Sequence, residues 1–103
     1  MKQLYKYTLL RQDGSRYEGE PRPKMELKEM YEILGCEIVA VIPEDYYPDD
    51  TIGKRITIWG DDEARYVEGA HRNPHMKVLN GNPEIGEPAE WDCVGNLLQE
   101  EMV

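Results

Sequence analysis

Residues 25–60, MELKEMYEILGCEIVAVIPEDYYPDDTIGKRITIWG, decide the fold, because they hold one amphipathic stretch, a glycine stop and two runs rich in Ile and Val. Between Met25 and Leu34 the apolar residues Leu27, Met30, Tyr31 and Leu34 recur at i, i+3, i+4 and i+7. A helix there carries all four on one buried seam and turns Glu26, Lys28, Glu29 and Glu32 outward. Gly35 follows where a left-handed residue closes the last turn without a Cβ clash, and Pro21 and Pro23 keep the approach extended. Cys36 to Ile42 reads as a strand with Cys36, Ile38, Ala40 and Ile42 on one side and Glu37, Val39 and Val41 on the other. Apart from Glu37 both sides are apolar, which predicts a central strand. Arg55 to Trp59 alternates, with Ile56 and Ile58 inward and Gly60 as its end.

Working outward, Leu4 to Leu10 is β-prone, and Asp13-Gly14 predicts a hairpin. A two-residue loop sets Arg11 opposite Arg16; a three- to five-residue loop with a shifted register avoids that pair of like charges. Glu44 to Lys54 carries Tyr46, Tyr47, Pro48 and Gly53 and is expected to be irregular. It is either a packed connector with wet hydroxyls or part of a contact surface. Gly60 to Glu63 reads as a turn, and Ala64 to Val67 as a short strand returning along Arg55 to Trp59. From Glu68 to Glu90 prolines, glycines and asparagines are dense, and only Met76 to Leu79 is patterned as ordered. Trp91 to Gln99 is the last predicted strand, with Gly95 marking a bulge or the close approach of another backbone. The expected fold is therefore α+β: an N-terminal hairpin, one amphipathic helix, then three or four strands in a mostly antiparallel sheet, with the helix packed on one face.

At 103 residues the chain suits a single domain, 1–103, with the hairpin in 1–20 and the helix-strand core in 25–99. A chain of this size buries roughly two-thirds of its unfolded surface, enough for one modest core. The formal net charge is −9, from 21 acidic and 12 basic residues. Such a surface repels phosphate backbones and anionic lipid, so direct nucleic-acid binding and membrane association are not expected; the acidic residues read either as a solvated surface or as carboxylates presented to a basic protein partner. Lys2 and Lys6 break the opening apolar run and no later one approaches the ~20 residues of a membrane span, which predicts a cytoplasmic protein. Cys36 and Cys93 both fall in predicted strands as buried thiols; a disulfide between them requires that the two strands face each other.

No constellation of catalytic residues stands out. His71 and His75 have i, i+4 spacing, but Pro74 between them opposes the helix that would aim both at one metal. Asp49, Asp50, Asp61, Asp62 and Glu63 lack the spacing of a calcium loop. There is no phosphate-binding or dinucleotide glycine pattern, no G-x-S-x-G and no Cys/His nucleophile pair. No cofactor, metal or catalytic residue is assigned, and enzymatic activity is not expected. The candidate binding surface is Tyr46, Tyr47, Trp59, His71 and Asn73. The alternative is a small-molecule binder or modest enzyme using those residues at a subunit boundary. Open sheet edges also invite a homo-oligomer.

The pattern Leu27-x-x-Met30-Tyr31-x-x-Leu34-Gly35-Cys36-Glu37-Ile38-Val39, the run from Arg55 to Trp59 into Asp61-Asp62-Glu63, then Asn73 and Val94-Gly95-Asn96-Leu97-Leu98, resembles the small domain family of unknown function numbered 3846. The likeness covers roughly Met25 to Gln99, and Cys36 stands where such sequences typically carry a second glycine. The resemblance implies a compact α+β unit of phage, plasmid or bacterial origin and transfers no catalytic residue. The functional expectation is a non-enzymatic binding or accessory protein.

Overall fold

The structure is a computed structural model that describes residues 3–77 and 93–103. Among these residues one five-stranded antiparallel sheet carries one α-helix on one face, so the fold is α+β. The elements are β1 (Tyr5–Leu10), β2 (Arg16–Glu18), α1 (Leu27–Leu34), β3 (Val39–Val41), β4 (Ile56–Asp61) and β5 (Leu97–Met102). Across the sheet they run β2-β1-β5-β4-β3, which makes the predicted hairpin an integral end of the sheet.

The hairpin takes the shifted register. Leu10 pairs with Arg16 and Leu9 with Tyr17, and the Arg11 N–H donates to the Ser15 carbonyl at 2.9 Å. The loop is therefore Gln12 to Gly14, and the two arginines do not face each other. Gly14 supplies the positive φ of 94° that this loop needs, and the Asp13 carboxylate accepts from the Ser15 N–H at 2.8 Å and the Ser15 hydroxyl at 2.6 Å.

The helix is shorter than its apolar stretch and its seam is rotated. Gly35 closes it at φ 67° as expected, but Met25 lies outside it and is buried, while Leu27 is 50% exposed. The burial centres on Met30, with Leu34 packed beside it; Leu27 and Ile33, each three residues from Met30 and thus about 60° off on opposite sides, flank the contact. The i, i+3, i+4, i+7 rule fixes a face but not its midpoint, and Met25 rather than Leu27 completes this cluster.

The predicted central strand is an edge. Only Val39–Val41 is extended, and it pairs with β4 alone. Each of its sides is covered in part: Val39 packs under α1, and Ile42, just beyond the strand, packs under Tyr46 and Tyr47 on the opposite face, while Ile38 and Val41 stay exposed. The central place belongs to β5, read from Leu97 to Met102 rather than from Trp91 to Gln99. Gly95, at φ 82°, turns the chain before this strand, so Cys93 lies outside any strand, as does Cys36, and no disulfide joins the two. Trp91, and Val78 and Leu79 of the predicted Met76 to Leu79 element, lie outside the described residues; Met76 itself is buried. Ala64 to Val67 forms no strand: Ala64–Tyr66 is a 3₁₀ turn, and β4 pairs with β3 and β5 instead.

Gly60 does not end β4. The strand continues to Asp61, and a Cβ on Gly60 would lie 2.7 Å from Leu97 Cδ2 and 3.3 Å from Ile42 Cδ1. Glycine is needed here for close packing, not for a turn. The two faces of the sheet hold separate cores. On the helix side Tyr7, Met25, Met30 and Leu98 pack with Tyr5, Leu34, Val39 and Trp59; on the other, Leu10, Ile42, Tyr46, Tyr47, Ile58, Met76, Cys93 and Leu97 form the second core. Among the described residues no helix is long and apolar enough to cross a membrane.

Candidate functional site

Five strands about 4.8 Å apart span about 19 Å, whereas one helix with its side chains covers about 10 Å. A single helix on this sheet must leave part of the face bare. Because α1 lies over β5 and β3, the bare part is at the hairpin, and there a groove of about 600 Å³ opens between β1, β2, residues 19–25 and the Ile33 side of α1. That volume is within the roughly 300–1,000 Å³ common for ligand sites. Two other hollows are smaller, about 230 Å³ beside Gln12 and Gly95 and about 210 Å³ beside Tyr47 and Lys77.

The walls of the groove follow from strand alternation. Leu9 faces Tyr17 across the hairpin and Leu98 across the β1–β5 ladder, so all three project to the helix side. Tyr17 is 68% exposed and Ile33 38%, which sets two apolar side chains on opposite banks. Tyr7, Met25 and Leu98 are buried at the floor. On the rim stand Arg11, Glu20 and the ion pair of Arg22 with Glu29, whose two carboxylate oxygens accept from the guanidinium at 2.5 and 2.8 Å. This paired bond holds the Glu29 carboxyl below the usual carboxylate range.

Under the floor lies a polar clamp. The Tyr7 hydroxyl donates to Glu100 Oε2 at 2.6 Å and accepts from the Met25 N–H at 2.7 Å. Glu100 is only 5% exposed on the central strand, and Lys24 Nζ reaches to 3.5 Å from its Oε1. Burial, reinforced by the bond to Glu100, pushes the Tyr7 phenol well above its ordinary value. It therefore keeps its proton and serves as a donor rather than a base. The Arg22 guanidinium sits 5.8 Å from the centre of the same ring and Lys24 Nζ 5.2 Å from that of Tyr5. All these groups are engaged with one another, and the chain from Arg22 to Met25 is thereby tied to the sheet.

The five residues singled out from the sequence are not gathered on this groove. Tyr46 and Tyr47 are buried in the core of the opposite face, where the Tyr47 hydroxyl accepts from the Ile58 N–H at 2.9 Å and burial pushes its phenol up. Trp59 is on the helix side, half-buried, with no acceptor for its Nε1 among the described residues. His71 is exposed, and its N–H donates to Gln12 Oε1 at 3.1 Å. Asn73 is wholly buried: its Nδ2 donates to the Leu10 and Gly95 carbonyls at 2.8 and 2.9 Å, and its Oδ1 accepts from the His75 N–H at 3.0 Å. Tyr46, Tyr47 and Asn73 thus face inward, and Trp59 is separated from them by the sheet. Burial, with the charge of Asp61, also raises the Cys36 thiol, the opposite of what a reactive thiolate needs. No group of three or more His, Cys, Asp or Glu side chains that could hold a metal occurs among the described residues.

Sequence reasoning missed the groove residues Leu9, Tyr17 and Ile33 and the clamp of Tyr7 with Glu100. Leu9 and Tyr17 were visible as same-side residues once the hairpin register was known. The pairing of Tyr7 with Glu100, ninety-three positions apart, left no local signal. No family model matches the chain, and neither a curated protein nor a solved structure matches it.

Proposed function

We propose that this is a non-enzymatic binding or accessory protein, acting in the cytoplasm, that holds a basic protein partner through the groove beside the hairpin. One observation carries the reading: the groove offers exposed apolar walls, Tyr17 and Ile33, above a floor whose polar groups are already bonded to each other. Such a cleft accepts an aromatic or aliphatic side chain over a floor already engaged in its own hydrogen bonds, with the charges of Arg11 and Glu20 at the rim. The net charge of −9 attracts a basic chain to the surface around it. The likeness to the family numbered 3846 supports a phage or mobile-element setting, in which a small accessory protein acts on a host component.

The test is titration with lysine-rich peptides that carry one Trp or Leu anchor, followed through the amide chemical shifts. Shifts centred on Leu9, Tyr17 and Ile33, abolished in Tyr17→Ser, are the expected result. Peptides that move no amide in the groove, or move them equally in Tyr17→Ser, would overturn the reading.

A further inference from the structure

Beyond the groove, and independent of it, the far end of the sheet carries a second surface. The two edges of the sheet differ in kind. β2 presents Arg16, Tyr17 and Glu18, with Lys6 and Arg16 both within ion-pair distance of Glu18, the charged finish that deters strand addition. β3 presents Val39, Ala40 and Val41 with no charge at all. The ladder to β4 sets the phase of its backbone. Ile42 N–H donates to Ile58 and Asp62 N–H to Ile38, so residues 38, 40 and 42 turn their polar groups toward β4. Val39 and Val41 turn theirs outward, and Val41 is 52% exposed. The exposed apolar residues Leu27 and Ile38 lie at the same end, Ile38 just before the strand and Leu27 on the flank of α1 turned away from Ile33 and the groove.

We propose that a second copy of this chain pairs with that edge, β3 against β3 in antiparallel sense about a two-fold axis at Ala40. The edge complements itself. With Ala40 opposite Ala40, Val39 of each copy meets Val41 of the other, and the four outward N–H groups find the four outward carbonyls. Glu37 then falls opposite Pro43, so no like charges meet across the axis. Both helices lie on the same face of the joined sheet, bringing Leu27 of each copy toward the interface. An unrelated extended peptide could use the same hydrogen bonds, but the two-fold register and the apolar flank on both sides favour a second copy. Two chains of −9 repel, so this association strengthens with added salt, where one held by ion pairs weakens.

Light scattering of the full chain over the micromolar range tests the proposal. The expected mass is about 24 kDa, twice the 12.0 kDa chain. Val41→Lys, checked for an unchanged circular dichroism spectrum and cooperative melting, should weaken association at least tenfold, and Leu27→Glu, away from the strand, should weaken it too. Tyr17→Lys on the other edge should leave it intact. Ala40→Cys should give a disulfide-linked dimer under mild oxidation, because residues facing each other at a non-hydrogen-bonded position lie close enough to bridge. A single-chain mass throughout the range overturns the proposal, as does a dimer that Val41→Lys and Leu27→Glu leave intact or that Tyr17→Lys dissociates. A dimer in which Ala40→Cys forms no cross-link overturns the register at Ala40.

Discussion

On the face away from the helix, irregular chain does the sealing. Tyr46, Tyr47, Met76 and Cys93 come from loops and turns, yet Leu10, Ile58 and Leu97 beneath them are at most 1% exposed. On the other face the one regular element, α1, leaves Tyr17 and Ile33 in the open. Loops can conform to the sheet residue by residue, and two of their side chains are fixed by hydrogen bonds of their own, Asn73 to the Leu10 and Gly95 carbonyls and Tyr47 to the Ile58 N–H. A helix is straight and about 10 Å wide, so it covers what lies under its axis and nothing else. Coverage follows width and curvature more than regularity, and the incompletely covered face is the one free for recognition.

The contrast can be broken most directly at Asn73. Asn73→Ala withdraws the amide from the buried Leu10 and Gly95 carbonyls and from the part-buried His75 N–H, at about 1–3 kcal/mol for each group left unsatisfied, so a loss of about 3 kcal/mol is expected in urea denaturation. A loss under about 1 kcal/mol would show that the loop-sealed face does not depend on this side chain. On the helix face the corresponding anchor is Tyr7. Tyr7→Phe strips the buried Glu100 carboxylate and the Met25 N–H of the hydroxyl between them and should cost about 2 kcal/mol. Equal stability of the phenylalanine variant would mean that Lys24 and water satisfy Glu100 unaided.

A smaller effect is expected at the rim. The folded pKa of Glu29 lies below its unfolded value, chiefly through the Arg22 hydrogen bonds, so its contribution is complete above the unfolded carboxylate pKa and is lost as pH falls through the folded one. The urea midpoint should therefore drop more steeply with acid in the native chain than in Glu29→Gln. Parallel profiles would remove the ion pair from the account. The smallest change belongs to Tyr17→Ser, expected within about 0.5 kcal/mol because the ring is already in water. A larger loss would place Tyr17 in the structural core and close the groove as a recognition surface.

Much of this architecture was legible from residues 25–60. The helix, its glycine stop, the strand at Ile56 and the hairpin at Asp13-Gly14 each rest on local chemistry, and local chemistry is what a sequence displays. The order of the strands was not legible, and β5 shows why. Leu97–Met102 includes Gln99, Glu100 and Glu101, a composition that suits an edge. It occupies the centre because Tyr7 and Lys24, far away in sequence, receive the Glu100 carboxylate. Conversely Val39–Val41, apolar on both sides, reads as central and is an edge. Burial of a strand's two faces and pairing of its two edges are separate properties, and only the first is written in its alternation. The candidate site was obscured for the same reason, since tyrosines next to prolines and aspartates resemble a contact loop whether their rings point out or in.

The place of β5 has a kinetic consequence. β1 and β2 meet through a short loop, and β3 and β4 are near neighbours in the chain, so both pairs can assemble locally. Neither pair touches the other's strands within the sheet until Leu97–Met102 slots between them. That step closes loops from Tyr5 and from Ile56 at once, and the entropy of closing them is met before any of its ladder bonds form. The expected order of assembly therefore runs from the rims inward, with the arrival of the middle strand as its slowest step.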